Sequence, residues 1–295
     1  MHLVFLNKLK EIIKKKKLFV FLIFIFAFYF NNIYSNIGVL PLDTFYHFDP
    51  GYRVMQGFFP IKDFWVVSGI MPDLMQAFFF SVFGVNWTSL VIHSSVFNGI
   101  LAVTTFLFFQ QLGLSKIYSL LYSLFFAILA YPISGTPFAD HHGVFFSLLA
   151  IYCFILAVKT EKNFYWVLVI FLLVFSFFSK QVPAVYVGIL FCFITIFYCI
   201  INRKIEPVSY SVYSLILLTI SLSLLFYIFQ IDLKSFFIQY ILYPPSIAAD
   251  RIKNFGNFST LGFIHEFKFV LIPLFLLFIF HFLRVLNNNN YIKKN

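Results

Sequence analysis

Charge is what this sequence has least of. Only 11% of its 295 residues are Asp, Glu, Lys or Arg, against about a quarter in an ordinary soluble domain. With 61% hydrophobic residues and a mean hydropathy of +0.92, such a chain cannot cover a globule with solvated side chains, so a soluble fold is excluded and lipid is the solvent. Cysteine is scarce too. Cys153, Cys192 and Cys199 fall inside apolar runs without ligand spacing, which excludes a disulfide framework and a cysteine zinc site and leaves them as small buried hydrophobes. A solvated basic stripe is also missing: the net charge of +10 comes from cations at the borders of apolar runs, not from a patch interleaved with aromatics, and nucleic acid is excluded as a partner. Phenylalanine is abundant, at 47 residues. Alongside many Ile, Lys and Asn residues it reads as the bias of an AT-rich coding sequence rather than as aromatic recognition.

A spanning helix needs about 20 mostly apolar residues. Eight runs approach that length, at 18–35, 88–109, 117–134, 143–158, 164–179, 182–202, 208–230 and 267–286. The expected fold class is an all-α polytopic membrane protein of about eight transmembrane helices, a single membrane domain over 1–295. Only Lys180, Gln181 and Pro183 interrupt the fifth and sixth runs, so these form either two spans or one broken pair. The first run follows a Lys-rich flank but lacks a small-residue cleavage site, and reads as a retained anchor.

Cations collect in cytoplasmic loops. With the N-terminus inside, Lys8, Lys10, Lys14 to Lys17, Lys116, Lys159, Lys162, Arg203, Lys204, Arg284, Lys293 and Lys294 are cytoplasmic, fourteen of the 21 cations. Among the acids only Glu11, Glu161 and Glu206 share that side, and the other eight lie outside. Both termini are therefore expected in the cytoplasm, with the bacterial cytoplasmic membrane as the expected location. The Asn-rich tail 287–295 is expected to be disordered.

The outer loop 36–87 is far longer than a connection between neighbouring helices requires. It reads as a small subdomain on the outer leaflet. Asp49, Pro50 and Gly57 stand as N-cap, first position and C′ residue of a short helix, Pro50 to Gln56. Pro72 to Phe83, closed by Gly84, reads as a second helix, too short to cross but suited to the interface. Its Asp73 lies in the first turn, where a carboxylate favours the dipole.

The stretch from Asp43 through His47, Asp49, Arg53 and Gly57, followed by Pro60-Ile61-Lys62-Asp63-Phe64 and by Pro72 to Phe83-Gly84, resembles the first outer loop of GT-C glycosyltransferases. The protein-mannosyltransferase and aminoarabinose-transferase type is the nearest likeness. It continues with Thr136 to Asp140 and with Ser179-Lys180-Gln181, and covers roughly residues 18 to 205. Two positions depart from the family pattern: Thr44 replaces a second acid after Asp43, and Ile61 replaces a Tyr after Pro60.

The resemblance implies transfer of a sugar from a polyprenyl-phosphate carrier to a glycan, lipid or protein acceptor on the outer face, by single displacement with inversion. Such chemistry needs a carboxylate to take the acceptor proton and cations for the departing phosphate. Asp43 is the expected base, with Asp63 and Asp140 as further catalytic candidates. Lys180 is the expected phosphate ligand because it interrupts an apolar run at membrane depth. Gln181, Arg53 and Arg251 are weaker substrate ligands, with Lys253 behind them. No cofactor is demanded. If a divalent ion takes part, Asp140 and His141 are its candidate ligands, although neighbouring histidines seldom face one site and no full ligand set is visible. His93 and His281 are lone histidines in apolar spans and read as hydrogen-bonded packing groups rather than ligands. The rival classes are a transporter or flippase of lipid-linked substrates, which is expected to show repeats and midplane charges, and a non-catalytic relative of the transferases.

Overall fold

The computed structural model describes residues 2–38, 45–66, 69–130, 135–246, 262, 264–265, 267–268 and 271–280, with side chains from Lys17 onward. The helices are α1 His2–Tyr34, α2 Phe48–Met55, α3 Ile70–Phe83, α4 Trp87–Leu112, α5 Lys116–Leu129, α6 Ala139–Thr160, α7 Asn163–Ser179, α8 Gln181–Asn202 and α9 Glu206–Ile228. A short helix, Leu233–Phe236, then runs into a π-helical turn, Phe237–Leu242. Among the described residues there is no strand, only an isolated bridge between Pro60 and Phe64.

Within the described residues each of the eight apolar runs carries a helix. Among the described residues five helices are long and apolar enough to cross a membrane: α1 from Lys17, α4, α6, α8 and α9. The apolar helices α3, α5, α7 and Leu271–Phe280 are shorter. The fifth and sixth runs are two separate helices, joined by Lys180 alone in an extended conformation (φ −159°, ψ 132°). The chain divides into two compact units, residues 1–240 and 241–295. In the second unit the helix Leu271–Phe280 is described, while Arg251, Lys253, His281 and the tail 287–295 lie outside the described residues.

In lipid there is little hydrophobic force between helices, so close packing of small residues and buried polar contacts decides which faces meet. Helix α4 shows this. Its Ala102 packs with Ala27 of α1 and Ala127 of α5, and Gly99 lies against the Phe24 ring. Asn98 donates to the carbonyls of Ala27 (3.1 Å) and Ala127 (2.9 Å), fastening three helices at one point. One turn outward, Asn31 donates to the Gly135 carbonyl (2.9 Å) and the Ser95 hydroxyl (3.1 Å). A second seam joins α6 to α7, where Ser176 donates to the Gly143 carbonyl at 2.7 Å. Phe154 stacks on Phe191 of α8 nearby, with ring centroids 4.2 Å apart. Helices α8 and α9 expose most of their large apolar side chains, as lipid-facing helices do.

One contact fixes the outer loop on the bundle. A Cβ at Gly69, the residue before α3, would stand 1.8 Å from the carbonyl oxygen of Ser179, the last residue of α7. The backbone there is ordinarily extended (φ −78°, ψ 140°), so close approach, not conformational freedom, demands glycine. Gly69→Ala is therefore expected to displace α3 from α7, destabilising the protein by about 3 kcal/mol or more, the upper range for overpacking. A thermal melt of the detergent-purified variant checks this, with Gly57→Ala as a control that meets nothing within 4 Å but is strained by its φ of +92°.

Candidate functional site

The outer loop is built upon α3. Helix α2 crosses it at Gly51, which is buried and where a Cβ would stand 2.8 Å from Gln76 Cγ. Helix α2 begins at Phe48, two residues before the expected start, and its N-cap is His47, without a side-chain cap bond. Asp49 thus corrects the sequence reading: it sits in the first turn, where it accepts from Arg53 Nε at 2.8 Å instead of capping. After Gly57 the chain doubles back through Ile61, a buried β-branched residue at φ +76°. That conformation costs on the order of 1–3 kcal/mol, and it is held from three sides. Ile61 N–H donates to the Phe64 carbonyl at 3.0 Å. Gln239 of the π-helical turn donates to the Ile61 carbonyl (3.1 Å) and accepts from Val66 N–H (3.0 Å). Tyr240 beside it donates to the Phe177 carbonyl of α7 at 2.8 Å. Such turns recur at functional sites.

Between α2, the returning segment 58–66 and the start of α3 lies a cavity of about 360 Å³, lined by Tyr46, Asp49, Arg53, Phe64, Trp65 and Asp73 among others. The Arg53 guanidinium carbon stands 5.8 Å from the Phe64 ring centroid. Asp73 is 4% exposed, the most buried acid among the described residues. Its Oδ1 lies 2.6 Å from Nδ1 of the fully buried His47, whose Nε2 is buried with no hydrogen-bond partner among the described residues. Burial pushes the Asp73 carboxyl above the usual aspartate range, against the hydrogen bond and charge of His47. The folded state therefore binds this proton more tightly than the unfolded chain. The stability it contributes is full below the ordinary aspartate value and is lost as pH rises through the folded one. Asp73→Asn removes that term, so its melting temperature is expected to fall less than wild type over the same acid-to-neutral range; parallel melting curves across pH check it.

A second buried chain starts three residues along α3. Gln76 meets His93 Nδ1 of α4 at 2.9 Å, and His93 Nε2 meets His142 Nε2 of α6 at 3.2 Å. His142 Nδ1 ends the chain on the Phe138 carbonyl at 2.9 Å. A carbonyl only accepts, so His142 carries its hydrogen on Nδ1 and presents a bare Nε2. With neutral rings, His93 must donate through Nε2 and accept at Nδ1. Gln76 then turns its amide N–H to His93, the two ends of an amide being interchangeable in shape. Phe79 and Phe97 stack on the two rings, with centroids 4.8 and 4.5 Å away. His93 thus has the hydrogen-bonded packing role expected of it, as one link of a chain joining α3, α4 and α6.

The expected site residues fare differently. Asp43 and Arg251 lie outside the described residues. Asp63 is exposed and accepts from Phe59 N–H at 2.6 Å, closing its own turn. Asp140, in the first turn of α6, forms an ion pair with Lys180, both half-exposed. Gln181 donates to the Tyr240 carbonyl at 3.1 Å. Arg53 lines the cavity. His141 lies against Phe145, ring centroids 5.7 Å apart, while its neighbour His142 turns into the core. For a divalent ion the donor set is poor: Asp140 already faces an ammonium, and no group of three or more metal-ligating side chains occurs among the described residues. From the sequence Asp73 was read only as a first-turn acid, a position it does hold, while its pairing with His47 and the role of Gln76 were missed. The spacing of Asp73 and Gln76 on one face of an otherwise apolar helix was the available signal.

The helices and their composition define an all-α membrane protein. No protein family, characterised protein or solved structure matches the chain.

Proposed function

We propose that the protein is a membrane glycosyltransferase, moving a sugar from a polyprenyl-phosphate carrier to a glycan, lipid or protein acceptor on the outer face of the membrane. The observation that carries this reading is the cavity of about 360 Å³ at the outer loop, which gathers carboxylates, an arginine and aromatic rings beside apolar helices. It lies in the stretch that resembles the first outer loop of GT-C enzymes. In this reading eight helices span, both termini are cytoplasmic, and the bacterial cytoplasmic membrane is the location. The opposite end of the bundle supports that orientation: Lys17, Lys116, Lys159, Lys162, Arg203 and Lys204 all belong to it, with Lys204 paired to Glu161 at 2.6 Å.

The acceptor hydroxyl gives its proton to Asp43 as its oxygen forms the new bond to the anomeric carbon. The bond from that carbon to the phosphate oxygen breaks, and its electron pair leaves with the lipid phosphate. Arg53 and Lys180 are the cations assigned to that phosphate, with Gln181 next to Lys180 in the chain. Their present partners fit the assignment: Asp49 and Asp140 hold Arg53 and Lys180 in place until a phosphate competes for them. Asp63 contributes by closing the turn that bounds the cavity.

The test is to give the purified protein, in liposomes, labelled polyprenyl-phosphate sugars with crude envelope acceptors. Label is expected in the acceptor, together with free polyprenyl phosphate. Intact donor crossing the bilayer without transfer makes the protein a flippase, and neither process makes it a non-catalytic relative.

A further inference from the structure

Building on the transferase reading, we propose that the cavity between α2 and α3 is the subsite of the transferred sugar, and that Asp73, held in place by His47, recognises hydroxyl groups of that sugar. A monosaccharide offers two surfaces, C–H faces that lie on aromatic rings and hydroxyls that donate to carboxylates. The cavity offers the complement of both, with Tyr46, Phe64 and Trp65 beside Asp49 and Asp73. Its volume of about 360 Å³ lies near the lower end of the roughly 300–1,000 Å³ of small-molecule sites, room for one ring and not for an oligosaccharide.

Of the two carboxylates, Asp73 is the discriminating one. Asp49 is exposed and committed to Arg53. Asp73 is almost wholly buried, and His47 occupies only Oδ1 of a group that accepts at two oxygens. Its position is set from behind, because His47 is fully buried and its ring lies 5.1 Å from that of Tyr46. A buried acceptor left unpaired is costly, so a site of this kind rejects a sugar that lacks the matching hydroxyl. Asp73 takes no proton in this scheme. It is a binding residue, and His47 is its positioning residue.

The experiment compares wild type, Asp73→Asn and His47→Asn in liposomes with polyprenyl-phosphate mannose, glucose, galactose and arabinose, and with the monodeoxy analogues of whichever donor wild type uses best. Asp73→Asn keeps an oxygen for His47 and nearly the same volume, so it is expected to fold. Its kcat/KM for the full donor should fall about 10- to 100-fold, the worth of a charge-assisted hydrogen bond, chiefly through KM. For one monodeoxy donor, wild type should already show that loss and the variant should add nothing. His47→Asn, with an amide N–H near the place of Nδ1, should lie between the two. Donor-induced thermal stabilisation should be smaller in Asp73→Asn by the same pattern. If Asp73→Asn matches wild type, or weakens the full donor and every deoxy donor alike, the sugar-reading role is overturned while the transferase stands. If wild type neither turns over nor is stabilised by any of the donors, the transferase reading itself fails and this assignment falls with it.

Discussion

Replacing His47 by Ala is expected to destabilise the protein by about 3–5 kcal/mol, because it strands the Asp73 carboxyl in a buried site without its partner. His47 is fully buried and Asp73 only 4% exposed, so losing the 2.6 Å hydrogen bond leaves Oδ1 without its partner on the buried side of the carboxylate. The effect should also spread. Asp73 stands one turn from Gln76, which anchors α3 to α4 and α6 through His93 and His142, so loosening the start of α3 works on that chain as well. The asymmetry between breaking the pair and removing it is the sharper expectation. His47→Leu combined with Asp73→Leu should recover most of the loss, because an apolar pair leaves nothing unsatisfied. Thermal melts of the purified variants decide the matter, and a His47→Ala protein as stable as wild type would mean that the pair holds nothing together.

The second large effect is on activity. Asp43→Asn is expected to slow sugar transfer by about 10²- to 10⁴-fold, the usual worth of a positioned general base, while leaving KM for the donor and the melting temperature nearly unchanged. In the sequence Asp43 lies five residues before Phe48, the first residue of α2, and α2 carries Asp49 and Arg53 of the cavity. Asp63→Asn should instead weaken the turn at Phe59, whose N–H its carboxylate accepts. Its effect should appear in stability and in KM rather than in kcat. Initial rates with saturating donor separate the two. Equal kcat for Asp43→Asn and wild type removes Asp43 as the base.

The spanning helices were legible because lipid imposes a length and a composition on each of them, and α4, α6, α8 and α9 began within a few residues of their expected starts. The outer loop was legible only in outline. Asp49 and Pro50 carry an N-cap signature, but Arg53 one turn on competes for the Asp49 carboxylate and the helix starts at Phe48. Partnerships across the bundle left almost no mark in the sequence. His93 pairs with Gln76 and His142, positions 17 and 49 residues away, and only packing brings them together. The contact of Asp140 with Lys180 was half visible, since both lie at outer helix ends, yet their pairing depends on a single extended residue between α7 and α8. Gly69 gave no sign at all, because its constraint is a neighbour 110 positions later, Ser179.

Sidedness tests the central claim most directly. Labelled donor, of the kind that the purified protein uses, is added to sealed vesicles of either orientation prepared from cells making the protein, with the Asp43→Asn variant as background. Transfer is predicted when donor and acceptor meet the face that bears the outer loop, and not from the Lys-rich face. Transfer confined to the Lys-rich face, or no transfer from either, would contradict the account.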